Sequence, residues 1–412
     1  MTILETAQKI IHEGPICDHC LGRQFAKLST GLSNDQRGAA IRLALAMHAA
    51  AEKDTVLQDE LSKNPGDTKC WVCNGLFRNV EQWVIKAVDA LSDYQYDNFL
   101  VGTKVTGLLA ENEEILWAES GATFAEPLKT ELNREVGKTI EKITEKRANL
   151  KKPQVVVILD LENEKVELEI NSLYIYGRYR KLIRGIPQTR WPCRECHGAG
   201  CERCDNTGKM YQESVDELIK PHLIAAAQCE DTAFHGAGRE DIDALMLGEG
   251  RPFVVEAKRP HLRHIDLHAL ETDINNISEG KIEVHDLKFV ESETVEQLKS
   301  MKADKIYRLK ITHNAAEETL KSSINIISGT TIKQKTPVRV LHRRADLERM
   351  RKVHSIQLES YNENTAVLVI DCEGGLYVKE LVSGDGGRTI PSIASLTGSE
   401  AKVIELEVIK VG

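Results

Sequence analysis

The sequence predicts an α+β fold, and three observations carry the prediction. Apolar residues recur at helical spacing through much of the first 150 residues. From Val155 onward, short β-rich runs separated by turn residues dominate. Two separated Cys-x-x-Cys pairs frame the helical stretch near 34–53, as a metal staple across distant segments would. The chain has 412 residues, 41% of them hydrophobic and 28% charged, which suits two or three packed domains. Three parts are expected: a helical, metal-stapled module over 1–78, an α/β module over 79–172, and a large domain over 173–412. The last should be a mixed, mostly antiparallel sheet flanked by helices.

Helices are predicted over 3–12 and near 34–53. An amphipathic helix over 79–91 carries Val80, Trp83, Val84, Ala87, Val88 and Leu91 on one face. Phe99 to Val105 reads as a strand. The charged stretch 126–150 reads as one long helix, with Leu128, Leu132, Val136, Ile140 and Ile143 as its core stripe. A hairpin follows over 155–160 and 165–170. Ser214-Val-Asp-Glu217 is a capping box opening a helix to about Gln228. A helix over 266–277 and strands over 281–290, 305–311, 353–360, 365–371 and 401–410 complete the reading.

No apolar run approaches the roughly 18 residues that span a bilayer, so no membrane partner is expected. The N-terminus reads as a helix start and the chain is placed in the cytoplasm, where thiols stay reduced. Eight of the ten cysteines then need a ligand role. Cys17-x-x-Cys20 and Cys70-x-x-Cys73 supply four thiolates for one closed structural zinc site. Cys193, Cys196, Cys201 and Cys204 form a second, compact quartet, read as a zinc-pinned hairpin loop with an iron–sulfur site as rival. Cys229 and Cys372 read as buried small apolar residues.

The net charge of −9 excludes a uniformly basic nucleic-acid binder but not local basic patches. No acidic residue occurs from 171 to 194. There Arg178, Arg180, Lys181, Arg184 and Arg190 interleave with Tyr176, Tyr179 and Trp191, a composition suited to phosphates and stacked bases. A second basic patch spans 331–352 and includes Arg343 and Arg344.

Between two strand signals, residues 234–258 hold a loop rich in Gly, Arg and carboxylates: Arg239, Glu240, Asp241 and Asp243. Glycines let such a loop turn sharply at a sheet edge. Two chemistries fit it. One is a Mg²⁺-dependent nuclease, with Asp241 or Asp243 and Glu256 holding the metal and Lys258 positioning water. The other uses an aspartate without metal. A non-catalytic RNA binder or tRNA chaperone would use the same basic and cysteine modules.

Longer motifs bear on the choice. Gly238-Arg-Glu-Asp-Ile-Asp243, Leu247-Gly-Glu-Gly-Arg-Pro-Phe253, Lys305-Ile-Tyr307 and Tyr377-Val-Lys-Glu-Leu-Val, with Gly387-Arg-Thr-Ile-Pro-Ser392 and the 174–181 segment, resemble the tenth family of tRNA pseudouridine synthases in its archaeal form. The resemblance runs from the first cysteine pair to the C-terminus. It implies a THUMP-like RNA-binding region and a pseudouridine synthase domain acting on T-loop uridines, position 55 and also 54. It further implies Asp241 as the catalytic aspartate, Tyr307 against the target base, Lys379 paired with the carboxylate, and Leu381 at the apolar floor. Arg178, Arg180, Lys181, Arg184, Arg239, Arg343, Arg344 and Arg388 are expected to contact the T arm of a tRNA. No organic cofactor is expected, and the protein is expected to be a monomer.

Overall fold

The computed structural model describes residues 2–62, 69–121, 123–301, 303–342 and 344–412. Arg343 therefore lies outside the described residues. The chain forms two compact units, residues 1–171 and 172–412.

In the first unit, helices span Ile3–His12, Asp18–Arg23, Asn34–Glu52, Thr55–Ser62, Val80–Leu91, Leu108–Ser120 and Leu128–Thr144. Strands β1 (Asn98–Lys104), β2 (Arg147–Ala148), β3 (Val155–Asp160) and β4 (Lys165–Ile170) pair in the order β2-β1-β3-β4. One core joins Ile10, Cys20, Leu45 and Cys70 to Phe99, Leu132, Val155 and Val157. The stretch read as one helix over 126–150 stops at Thr144, where Glu145 takes a left-handed cap. Ile143 is exposed and does not join the stripe. The helix Leu108–Ser120 escaped the sequence reading because it buries only Leu116 and Ser120, too few to leave a periodic stripe.

In the second unit, the strands are β5 (Leu173–Lys181), β6 (Asp231–Gly236), β7 (Ala244–Lys258), β8 (Ile282–Val290), β9 (Lys305–His313), β10 (Thr331–Lys335), β11 (Glu348–Tyr361), β12 (Thr365–Cys372), β13 (Thr389–Ile390) and β14 (Ala401–Val411). They form one sheet in the order β13-β10-β11-β12-β9-β14-β7-β5-β8, with β6 added on β7. Among the described residues of this sheet, β7 with β14 is the parallel pair and the other pairs are antiparallel.

Strand β7 changes neighbours along its length. Residues 244–246 pair with β14, and 253–258 pair with β6. The change needs two left-handed glycines, Gly248 and Gly250. A Cβ at Gly248 would lie 2.0 Å from the Ile409 carbonyl oxygen, and one at Gly250 2.6 Å from that of Tyr179. Helices Val215–Ala227 and Leu267–Ile277 cover one apolar cluster, around Val255 and Ile282. Helices Glu317–Ile327, Val378–Ser383 and Ile393–Thr397 cover another, around Leu309 and Leu368. The short loop 237–243, between β6 and β7, is held by Lys181 of β5, which donates to the carbonyls of Asp241 and Ile242, and by the Gly185 N–H.

Candidate active site

Three segments far apart in sequence meet at that loop. Asp241 comes from it, Arg339 from a 3₁₀ turn over Val338–Val340, and Lys379 from the helix Val378–Ser383. Lys379 Nζ lies 3.2 Å from Asp241 Oδ2, and Arg339 Nη1 lies 3.3 Å from the same oxygen. Burial alone would raise the Asp241 pKa, but Arg339 and then Lys379 outweigh it, so the carboxyl is held below its ordinary value. Asp241 is an ionised, oriented carboxylate at neutral pH. Lys379 also holds Asp243, at 2.7 Å, but Asp243 is mostly exposed.

Arg339 is itself aimed. Its Nε donates to Glu380 Oε1 at 2.7 Å, and Glu380 is buried. Sequence reasoning missed both residues, although Arg339 lies within the basic stretch 331–352. Nothing local says that it turns toward a carboxylate 98 positions away.

Asp241 borders a cleft of about 280 Å³. Tyr307, Lys305, Arg251, Arg344 and Tyr377 line it, with Leu376, Val378, Leu406 and Val408 as apolar wall. Tyr307 enters from β9, and burial holds its hydroxyl protonated, well above the usual phenol range. Behind the cleft runs a fully enclosed chain. Tyr179 donates to Glu240 at 2.8 Å, and Arg251 Nε donates to Glu240 at 2.8 Å. Gln188 Nε2 donates to the Tyr179 oxygen and to the Gly238 carbonyl. This chain fixes the loop that carries Asp241. Leu381 is wholly buried in the core behind Lys379 and does not line the cleft.

The basic residues divide into two groups. Arg344 lines the cleft and reaches the Tyr377 hydroxyl at 3.3 Å. Arg184 and Arg239 line an adjoining opening with Trp191, Tyr211 and Asp241; the Arg239 guanidinium stacks over Trp191 at 5.3 Å, and Arg184 donates one nitrogen to the carbonyls of Asp243 and Leu406. The others are engaged by groups of the protein. Lys181 is wholly enclosed and donates to the carbonyls of Ile186, Asp241 and Ile242, so it cannot reach a phosphate. Arg178 donates to the carbonyls of Glu249, Gly250 and Val411. Arg180 pairs with Glu283, and Arg388 with Asp346 and the Thr336 carbonyl. Within 171–194, Arg178, Lys181 and Arg184 are matched by backbone carbonyls and Arg180 by an acid elsewhere in the chain.

The nuclease arrangement is not assembled. Glu256 accepts from Ser172 at 2.7 Å and sits 3.2 Å from His235, while Lys258 pairs with Asp231. Among the described residues, the groups placed to hold a metal are the two cysteine tetrads. A tetrahedron with Zn–S arms of about 2.3 Å has edges of about 3.8 Å. The Cys17–Cys73 sulfurs lie 3.7 Å apart, and Cys193–Cys201 and Cys196–Cys204 each 3.8 Å. That spacing fits shared ligation of one ion and excludes disulfides. The second tetrad closes a loop whose base is the antiparallel bridge Pro192–Lys209, next to Trp191.

Two family descriptions match the chain: "Pus10, C-terminal" over residues 174–412 and "Pus10 THUMP domain, archaeal" over 83–160. A protein of Methanothrix thermoacetophila named tRNA pseudouridine synthase Pus10 is 50% identical, covering all of this chain and 94% of its own. A protein of the same name from Halorubrum lacusprofundi is 42% identical, covering all of this chain and 96% of its own. A solved Cbf5-Nop10-Gar1 complex aligns at 16% identity and a TM-score of 0.31, over 48% of this chain and 45% of its own, too loosely to match side chains. The chain belongs to the Pus10 family, that of the tRNA pseudouridine synthases just named.

Proposed function

We propose that this protein converts uridine to pseudouridine at position 55, and also 54, of the tRNA T loop, with Asp241 as nucleophile. The observation that carries the reading is the juxtaposition of Asp241, Arg339, Lys379 and Tyr307 around one cleft. Pseudouridine formation breaks the N1–C1′ bond, turns the uracil and rejoins it through C5. The step needs a carboxylate ionised at neutral pH, at the sugar or assisting a glycal, and no redox partner. Arg339 and Lys379 keep Asp241 in that state. Tyr307 stacks on the base, which must leave its own stack to arrive there. Leu381 acts from behind, by seating the helix that carries Lys379.

In this reading Arg184, Arg239 and Arg344 contact tRNA phosphates, and the N-terminal unit grips the T arm by its shape. Residues 1–78 serve as a zinc-stapled module, 79–172 as the THUMP-like module and 173–412 as the catalytic domain. Each cysteine tetrad holds one structural Zn²⁺, which fixes backbone and takes no part in the chemistry. The protein works as a monomer in the cytoplasm. No described helix is long and apolar enough to cross a membrane.

The test is an unmodified tRNA transcript incubated with wild type or Asp241→Ala in magnesium-free buffer. Carbodiimide mapping should place new pseudouridine in the T loop with wild type alone. Intact, unmodified RNA from folded wild type, or pseudouridine formed by the variant, refutes the reading.

A further inference from the structure

Lys305 and Tyr307 are two residues apart on β9, so both side chains leave the sheet on one face, and both line the Asp241 cleft. Every other cation of that cleft has a partner. Arg339 and Lys379 hold carboxylates, Arg251 holds Glu240, and Arg344 reaches Tyr377. Arg349 donates to Thr336, Arg351 to the Met350 carbonyl, and Arg239 stacks on Trp191. The Lys305 ammonium makes no hydrogen bond or ion pair among the described residues.

Its place is the back of the cleft. A Cβ built on left-handed Gly238 would stand 3.7 Å from Lys305 Nζ and 3.5 Å from Arg251 Nη1. Those are ordinary contacts; glycine serves there because φ is +75°, and that turn brings the loop backbone beside both cations. Glu240 accepts from Arg251 and from Tyr179. With Glu240 shared between Arg251 and Lys181, no carboxylate is left for the Lys305 ammonium.

We propose that Lys305 is the cation that receives the detached uracil ring. The inference rests on the reading of this cleft as the reacting site. When the N1–C1′ bond breaks, its electron pair leaves with the uracil. The ring becomes an anion whose charge spreads from N1 to the two carbonyl oxygens. C1′ is taken by the Asp241 carboxylate or passes to a glycal. The Lys305 ammonium donates a hydrogen bond to a carbonyl oxygen and keeps its proton throughout. The ring then turns and C5 bonds to C1′ as the Asp241 ester bond breaks or, from the glycal, as C2′ regains the proton it had given to Asp241; the C5 proton is lost and N1 gains one, so the net change is an isomerisation. A preorganised donor of this kind matters most where water is excluded.

A phosphate contact would place this lysine at an exposed rim, where it is not. The groups facing its ammonium are Arg251 on β7, Glu240 in the 237–243 loop, Cys372 on β12 and Tyr307 on its own strand. Burial first, then Arg251, pull the ammonium down to about 8, so its proton is retained at neutral pH and lost just above it.

The experiment measures single-turnover consumption of uridine and of 5-fluorouridine at the target position, with enzyme in excess, by nuclease digestion and mass spectrometry. Fluorine acidifies the uracil ring, so its anion needs less help. Lys305→Met should slow uridine about 100-fold, the scale of removing one preorganised donor. It should slow 5-fluorouridine by clearly less, and leave tRNA affinity unchanged. The wild-type rate should fall above about pH 8, and Lys305→Arg should abolish that decline. Equal slowing of both substrates, a loss that resides in tRNA affinity, or a decline that persists in Lys305→Arg would overturn the proposal. Asp241→Asn runs alongside. Inactive Asp241→Asn with equal slowing by Lys305→Met sinks the lysine alone, whereas active Asp241→Asn sinks the site and the lysine together.

Discussion

Replacing Arg339 by Met should damage this protein twice, and the two losses separate. At 3.3 Å, an ion pair in an effective dielectric of about 20 is worth roughly 5 kcal/mol by Coulomb's law. Arg339 and Asp241 are each about one-third exposed, which cuts the pairwise gain to about 1–2 kcal/mol. That is too little to protonate Asp241 at pH 7, because Lys379 remains. The catalytic loss comes instead from a carboxylate that is no longer aimed, and about 100-fold in single-turnover rate is expected. The second loss is structural. Glu380 is 6% exposed at its side chain and would be left without its guanidinium. A stranded buried carboxylate costs about 3 kcal/mol, or roughly 6–12 °C in Tm for a domain of this size. Arg339→Met with Glu380→Gln removes the stranded charge. The double variant should recover most of the melting temperature and none of the rate. Calorimetry and turnover of a tRNA transcript read the two losses independently. Recovery of rate with stability would show that Arg339 only holds the fold, and no loss of stability in Arg339→Met would refute the Glu380 anchor.

Three further outcomes follow from the same geometry. Lys379→Met removes a cation that lowers the Asp241 pKa, so the acid limb of the pH–rate profile should move to higher pH while activity above it persists at a reduced plateau. Atomic emission should find two zinc ions per chain, falling to one in Cys196→Ser. Cys20→Ser should also melt the N-terminal unit early, because Cys20, Cys70 and Cys73 sit in its core. Asp216 is pushed up to about 6, chiefly by burial. Its folded pKa exceeds the unfolded value near 4, so the folded state holds more protons between them and stability falls as pH rises through that window. Asp216→Asn should therefore gain roughly 1–2 kcal/mol at pH 8 and nothing at pH 3, read by thermal melts.

Local patterning carried most of the fold. The alternation in Lys305–His313 folds as its pattern says, and Ser214 caps its helix by accepting from the Glu217 N–H, although the Glu217 carboxylate takes the Ser214 hydroxyl and not its backbone N–H. Helices with a thin buried stripe, such as Leu108–Ser120, gave no such pattern. The site divides along the same line. The Gly-rich loop is visible in sequence, but Asp241 and Asp243 differ only by what faces them. Both meet Lys379, yet only Asp241 also meets Arg339 and borders the cleft. Arg178 and Lys181 of the basic segment read as phosphate contacts in the sequence for a physical reason. A cation in a strand reads as a phosphate contact until the tertiary fold supplies carbonyls, as it does for Arg178 and Lys181. Arg339 and Glu380 depend on long-range packing, which no spacing encodes.

The most direct test of the central claim uses a tRNA transcript carrying tritium at C5 of its uridines, in magnesium-free buffer. Metal-independent isomerisation through Asp241 expels that tritium into water while the strand stays intact. Wild type should release it from the target uridines, and Asp241→Asn should release none over the same interval. Strand cleavage without release, or equal release by the variant, would contradict the account.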